Sequence, residues 1–410
     1  MAFRILSLDG GGTWALLQAM ALEKLYPDQP GRAILGNFDL TVANSGGSIV
    51  LAGLMLNKKP LEILSEFNNI EFRKSIFYKR NILVRLFTPI PFVSRYVTTE
   101  KAKGLAKAFT NAGDKLLGDF QDLADWPKGP ESKAETDRSK RPPTRVLITA
   151  FDHDRLRETF FRSYDIPGSA GQTATAISLR DAVHASTNAP VRFFDAPAIC
   201  VVDGATRNYW DGAIGGYNNP VMAGVVDALA LGVEAKEIQI LSIGTGTVRL
   251  LTADQVSPGS PKPAKGLMAP GQGGPFGDLA TVATSINDDP PDAASYTAYR
   301  VTRRPPVPPP ATPAEEPIQL VRMNPVVRPE WSAGAGWVYP KLIPQPLFDK
   351  LAKLEMDAIE QDDVDTITQL GNVWLGGAPN QFIHDYQTFG TGLGHATFEK
   401  AKECWKTLSQ

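Results

Sequence analysis

Residues 38–54, FDLTVANSGGSIVLAGL, decide how this chain is read. FDLTVA is an apolar, partly β-branched run suited to a buried strand, and GGSIVLAGL is a small-residue stretch suited to a closely packed helix. Ser45 stands between them at the tip of a tight turn. That strand–turn–helix lifts a serine hydroxyl clear of the sheet and aims the free N–H groups of the helix at nearby negative charge. The usual nucleophile-elbow pattern is G-x-S-x-G. Here it is Ala43-Asn44-Ser45-Gly46-Gly47, with alanine at the first glycine position. An ordinary turn rich in small residues would read the same way, so the segment needs support from elsewhere.

Outward from the elbow, strand signals (FRILSL, TRVLITAFD, PAICVVD, NYWDGAI, EIQILSIGTG) alternate with helical ones (WALLQAMALEKLYP, NPVMAGVVDALALG). Such alternation predicts an α/β fold with a mostly parallel sheet and helices on both faces. Helical spacing returns over 346–361 (PLFDKLAKLEMDAIEQ), in VDTITQLGNVWL and in ATFEKAKECWKTL. Residues 128–143, 255–275 and 303–317 are irregular, and the last, RRPPVPPPATPAEEP, favours polyproline II as a stiff connection. No internal repeat is present. The expected organisation is a catalytic core over residues 1–250, with loops and C-terminal helices over 251–410 packed on the same domain.

With 43% hydrophobic residues the 410-residue chain can build a large core, and a net charge of −2 gives no global attraction to nucleic acid or an anionic membrane. Two distant cysteines, Cys200 and Cys404, make neither a disulfide framework nor a zinc site. The first strand signal starts almost at Met1, and no apolar run reaches the length of a membrane span. The expectation is a cytoplasmic protein, peripheral at membranes if it meets them.

A serine nucleophile needs a base and an oxyanion site. Leu8-Asp9-Gly10-Gly11-Gly12-Thr13 supplies candidates for the second, because consecutive glycines let backbone N–H groups of Gly10, Gly11 and Gly12 converge on an anion. The same residues resemble the first phosphate motif of actin-like sugar kinases, where the turn joins two hairpin strands. The helical period of WALLQAMALEKLYP argues against that fold. For the base, the order Ser45…Asp211…His384 or His395 would suit an α/β-hydrolase triad, although the elbow arrives earlier than that fold allows. The other route uses Asp211 alone, at the end of NYWD, taking the serine proton once partial burial raises its pKa. Asp203-Gly204, a similar dipeptide nearby, reads as a hairpin turn.

These segments together resemble the patatin-like phospholipase family: DGGG at 9–12, the elbow around Ser45, HASTNAPVRFF at 184–194, DGAIGGYNNPV from Asp211, and LSIGTG at 241–246. The resemblance covers roughly the first 250 residues and implies a three-layer patatin-like fold. It implies a metal-free, cofactor-free lipid acyl hydrolase with a Ser–Asp dyad: Ser45 as nucleophile, Asp211 as base, the glycine turn as oxyanion hole and Asp9 as a structural residue. Two departures stand out. The family's glycine turn usually continues with a basic residue and a glycine, where this chain has Trp14 and Ala15, and the elbow opens on Ala43. A non-catalytic lipid-binding module is the alternative.

Residues 73–99 carry six Lys or Arg and no acid, interleaved with aromatic residues. Arg80, Arg85, Phe87 and Phe92 are therefore candidates for transient contact with a lipid surface, against the plainer reading of a core-packed helix with a basic outer face. SINDDPPDAASYTAY at 285–299 is a second segment that could fold over the pocket. No EF-hand loop is present, and the partner expected is the lipid substrate itself.

Overall fold

The structure is a computed structural model that describes residues 2–79, 94–130, 141–168, 174–190, 193–249, 261, 290–302, 319–383 and 393–409. Its centre is an eight-stranded sheet. Strands β1 (Phe3–Leu8), β2 (Leu40–Ala43), β3 (Arg145–Asp152), β4 (Arg157–Arg162), β5 (Ala198–Val202), β6 (Ala205–Asp211) and β7 (Ile238–Ile243) come from the first 250 residues. A short strand β8 (Thr247–Val248) lies outside the sheet, and β9 (Leu320–Met323) completes it. The order is β5-β6-β3-β2-β1-β7-β9, with β4 also paired to β3. The β2, β1, β7 and β9 side is parallel, and β4, β6 and β5 run antiparallel to their neighbours. This is a mostly parallel α/β sheet.

Both faces are covered, which is why the parallel strands read as unbroken apolar runs rather than alternating ones. On one face Leu6, Leu8, Val146, Ile148, Leu241 and Ile243 pack against helices α1 (Leu16–Leu25), α2 (Gly31–Leu35) and α3 (Gly46–Met55) and against the C-terminal helices Gln361–Leu375 and Phe398–Leu408. On the other, Ile5, Leu40, Val42, Leu147, Ile238 and Ile240 meet the helices Val221–Ala230 and Pro290–Thr302. Alternate residues of one strand thus serve two cores, the period-2 consequence of a pleated sheet.

Asp203 and Gly204 form the two-residue turn of the β5–β6 hairpin, both with positive φ (51° and 75°), the geometry for which Asp-Gly is favoured. Of the segment 285–299, residues 285–289 lie outside the described residues. The helix Pro290–Thr302 packs on Val221–Ala230, with Ala298 and Tyr299 in the second core, and is not among the residues lining the cavity that holds Ser45. Helical spacing over 346–361 is realised only as Gln345–Leu351. The remainder runs as an irregular strap, because tertiary partners capture its carbonyls one by one. Thr13 N donates to Met356 O (3.0 Å), Trp14 Nε1 to Glu355 O (3.0 Å) and Arg73 Nε to Ile359 O (2.8 Å). Beyond residue 250, where only helices and loops are expected, β9 instead joins the central sheet. Among the described residues no helix is long and apolar enough to cross a membrane, and no cluster of metal-ligating side chains occurs.

Candidate active site

Sheet register brings Ser45 and Asp211 together. Ala43 of β2 pairs with Ile148 of β3, and the chain turns away at Ser45; just beyond, on the edge of β3 that β2 has left, Ala150 pairs with Asp211 of β6, while β4 holds the opposite edge. The two residues, 166 positions apart in sequence, therefore meet where β2 and β6 end, on the same edge of β3. The Ser45 side chain lies close enough to Asp211 to favour its ionised carboxylate.

Ser45 has φ 47° and ψ −123°, a strained conformation that an L-residue holds only when its surroundings enforce it. The enforcement is visible on both sides. A side chain at Gly46 would run into Gly12 O and Ala15, and one at Gly47 into the backbone of Leu8 and Asp9, so α3 can start here only with glycine. Ala43 causes no such conflict: it is fully buried and in register with Leu8 and Ile148, so the departure from G-x-S-x-G leaves the strand pairing intact.

Asp211 is buried and caps the short 3-10 turn Gly212–Gly215 by accepting from Ala213 N at 2.9 Å. It also accepts from Asn44 Nδ2 at 3.0 Å. Asn44 Oδ1 in turn receives the Thr149 hydroxyl at 2.7 Å and the Ser186 hydroxyl at 3.4 Å, while Ser186 Oγ accepts from Ser45 N at 2.8 Å. Asn188 O takes the amide of Asp211 at 3.1 Å. Asn44, Thr149, Ser186 and Asn188 thus form a buried frame around the pair, and none of them stands out as functional from sequence alone. HASTNAPVRFF was the available signal, because its serine and asparagine are the small polar residues such a frame needs.

Desolvation raises the pKa of Asp211, opposed by the Ser45 side chain, by the bonds from Ala213 N and Asn44 and by the buried Lys101. Glu158 of β4 lies behind the turn that follows Asp211, close to Gly212 and Gly215, and neither of its buried oxygens has a hydrogen-bond partner among the described residues. Burial, with the Asp211 charge adding to it, pushes Glu158 up to about 10, so it is uncharged near neutral pH.

A small cavity of about 30 Å³ opens on the pair. Gly12, Ser45, Gly46 and Asp211 make its polar end, and Ile49, Ile76, Phe77, Phe193, Phe194 and Met356 make most of the rest. Gly12 and Gly46 present amides there that bond no other group among the described residues, and the Gly11 amide is likewise uncommitted. Gly10 differs from the expectation. Its N–H donates to Asn218 O at 2.7 Å, so it is not available to an oxyanion, whereas Gly46, not anticipated, is. In place of a basic residue, Trp14 pins the 355–359 strap over the glycine turn.

Histidine is absent from the cavity lining among the described residues. His153 is exposed and accepts from Trp210 Nε1, His184 is buried in the helix Leu179–Ser186 with its ring held neutral by burial, and His395 bonds Asn380 through its carbonyl. His384 lies outside the described residues, as do Arg80, Arg85, Phe87 and Phe92. β1 has parallel neighbours on both sides, so Gly10–Gly12 is not the hairpin turn of a kinase phosphate motif.

The sequence profile of the patatin-like phospholipases matches residues 6–225, more than half of the chain. The chain belongs to the patatin-like phospholipase family. The match takes in the glycine turn, Ser45, the frame and Asp211. It ends before β7, β9 and the strap, so in this patatin-like protein the segment that walls the cavity opposite the matched region comes from further along the chain. No curated protein matches the sequence. The crystal structure of VipD from Legionella pneumophila is similar over 90% of this chain and 66% of that chain, about two thirds of its length, at 10% identity and a TM-score of 0.30.

Proposed function

We propose that this chain is a lipid acyl hydrolase of phospholipase A type that cleaves fatty-acyl esters with a Ser45–Asp211 dyad. Ser45 Oγ attacks the ester carbonyl as Asp211 takes its proton. The carbonyl oxygen becomes an oxyanion held by amides of Gly11, Gly12 and Gly46, at the N-terminal end of α3. Collapse expels the alcohol, which leaves with the proton held by Asp211, and Ser45 keeps the acyl group. A water then gives its proton to Asp211 and attacks the acyl-enzyme, and the proton returns to Ser45 as the fatty acid departs.

One observation carries the reading. The strained serine faces a buried carboxylate inside an apolar cavity, and no described histidine lines that cavity. Transient contact with a membrane surface through 73–99 belongs to the same proposal, as does a cytoplasmic setting. The test is hydrolysis of phospholipid vesicles and of a soluble aryl ester. Ser45→Ala and Asp211→Asn should each abolish turnover of both with the fold retained, and His384→Ala and His395→Ala should not. Loss of activity in a histidine variant would return the triad. Vesicle binding without turnover in the parent protein would leave a lipid-binding module.

A further inference from the structure

Lys101, on the helix Thr98–Phe109, is fully buried, which is rare for a lysine, and no carboxylate lies within ion-pair distance of it among the described residues. Its Nζ is 2.9 Å from His184 O, 3.2 Å from Thr187 Oγ1 and 4.3 Å above the ring of Phe194. A carbonyl oxygen, a hydroxyl oxygen and an aromatic face are the shell of an ammonium ion. Two of those three partners, Thr187 and Phe194, also line the cavity that holds Ser45 and Asp211. The lysine therefore stands directly behind the cavity wall, in a region where little water screens its charge.

We infer that Lys101 is a positioning residue for Asp211, an ammonium behind the cavity wall that keeps the carboxylate in its proton-accepting form. The inference rests on the reading of Asp211 as the base.

The other groups facing this pair carry little opposing charge. Glu158, on β4, is protonated at neutral pH, and the Cys200 thiol on β5 is pushed up by burial and stays neutral. His184, on the helix beside Lys101, is held neutral, and Arg180 of that helix is paired with Asp114. Across the cavity Asp357 is engaged by Arg95 and by the Tyr96 hydroxyl. Burial pulls the Lys101 amine well below its ordinary range, and the Asp211 charge is the largest influence opposing that. Ionised Asp211 and protonated Lys101 therefore support each other.

The experiment is the pH profile of kcat/KM for a soluble p-nitrophenyl ester, with the parent protein, Lys101→Met, Thr187→Val and Asp211→Asn, each checked for fold by circular dichroism. Without the ammonium the carboxylate is easier to protonate. The acid limb of Lys101→Met should therefore move up by about one pH unit, with the plateau at high pH largely kept. Thr187→Val, which removes one oxygen of the shell at nearly constant volume, should give a smaller shift in the same direction. A merely structural lysine would lower the plateau and leave the limb in place, and that result overturns the inference. If Lys101→Met does not fold, an unmoved limb in Thr187→Val overturns it. Asp211→Asn separates the two claims: retained hydrolysis there defeats the dyad and this inference together. An inactive Asp211→Asn beside an unmoved Lys101→Met limb defeats the lysine alone.

Discussion

Arg322, on the edge strand β9, places Nη2 2.5 Å from Oδ2 of Asp9 at the end of β1, with both side chains buried. Asp9 leads directly into the glycine turn, so the last strand of the sheet anchors the loop that carries the proposed oxyanion donors. Arg322 also donates to Ser242 Oγ at 2.8 Å, which ties β7 into the same contact.

Removing the cation leaves a buried carboxylate alone. Arg322→Met should cost about 3–5 kcal/mol in chemical denaturation. Burial already raises Asp9 to about 6 against the pull of Arg322, and the variant should raise it further. A folded-state pKa above the unfolded value of 3.8 means stability that is present at low pH and lost as pH rises through the folded value. The stability deficit of Arg322→Met should therefore be smallest near pH 4 and widen above pH 6.

Asn44 links the elbow to the base, since its amide nitrogen binds Asp211 and its oxygen receives Thr149. Asn44→Ala frees the carboxylate to rotate and leaves buried hydroxyls without their acceptor. Steady-state kinetics should show kcat reduced on the order of 100-fold, with KM changed far less, as expected when orientation of the base is lost.

Glu158 offers a test of the electrostatics without touching the cavity lining. Its folded pKa of about 10 lies above the unfolded 4.5, so its contribution to stability falls steadily as pH rises between those values. Glu158→Gln removes that dependence. Thermal melts should show the variant gaining on the parent from pH 5 to pH 9, by on the order of 1 kcal/mol or more at the upper end.

Met356 closes the cavity above Gly12, and the space left, about 30 Å³, accommodates a few waters rather than an acyl chain. Met356→Ala should raise kcat/KM for long-chain esters by several-fold relative to short-chain ones. An unchanged chain-length profile would place the acyl path elsewhere.

Much of this architecture was legible in residue order. FRILSL, FDLTVA, TRVLITAFD and EIQILSIGTG announce their strands because a sheet covered on both faces needs continuous apolar runs. Asp203-Gly204 announces its hairpin through the positive φ that both positions adopt. Local pattern failed where partners distant in sequence decide the outcome. RETFFR, the strand β4, lacks the apolar run of its neighbours, and at 354–361 a good helical period lost to Trp14, Thr13 and Arg73, which claim the backbone of the strap.

The site divides along the same line. Short-range chemistry was enough to single out Ser45, Asp211 and the glycine turn, because an elbow and a strand-end carboxylate are spelled by adjacent residues. Only the tertiary structure committed the Gly10 amide to Asn218 and left that of Gly46 open. It alone set Lys101 behind Thr187 and Phe194, and Arg322 on Asp9. Burial and pairing of a charge depend on groups far apart in the chain, from 83 residues for Lys101 and His184 to 313 for Arg322 and Asp9, and no local pattern of side chains encodes them.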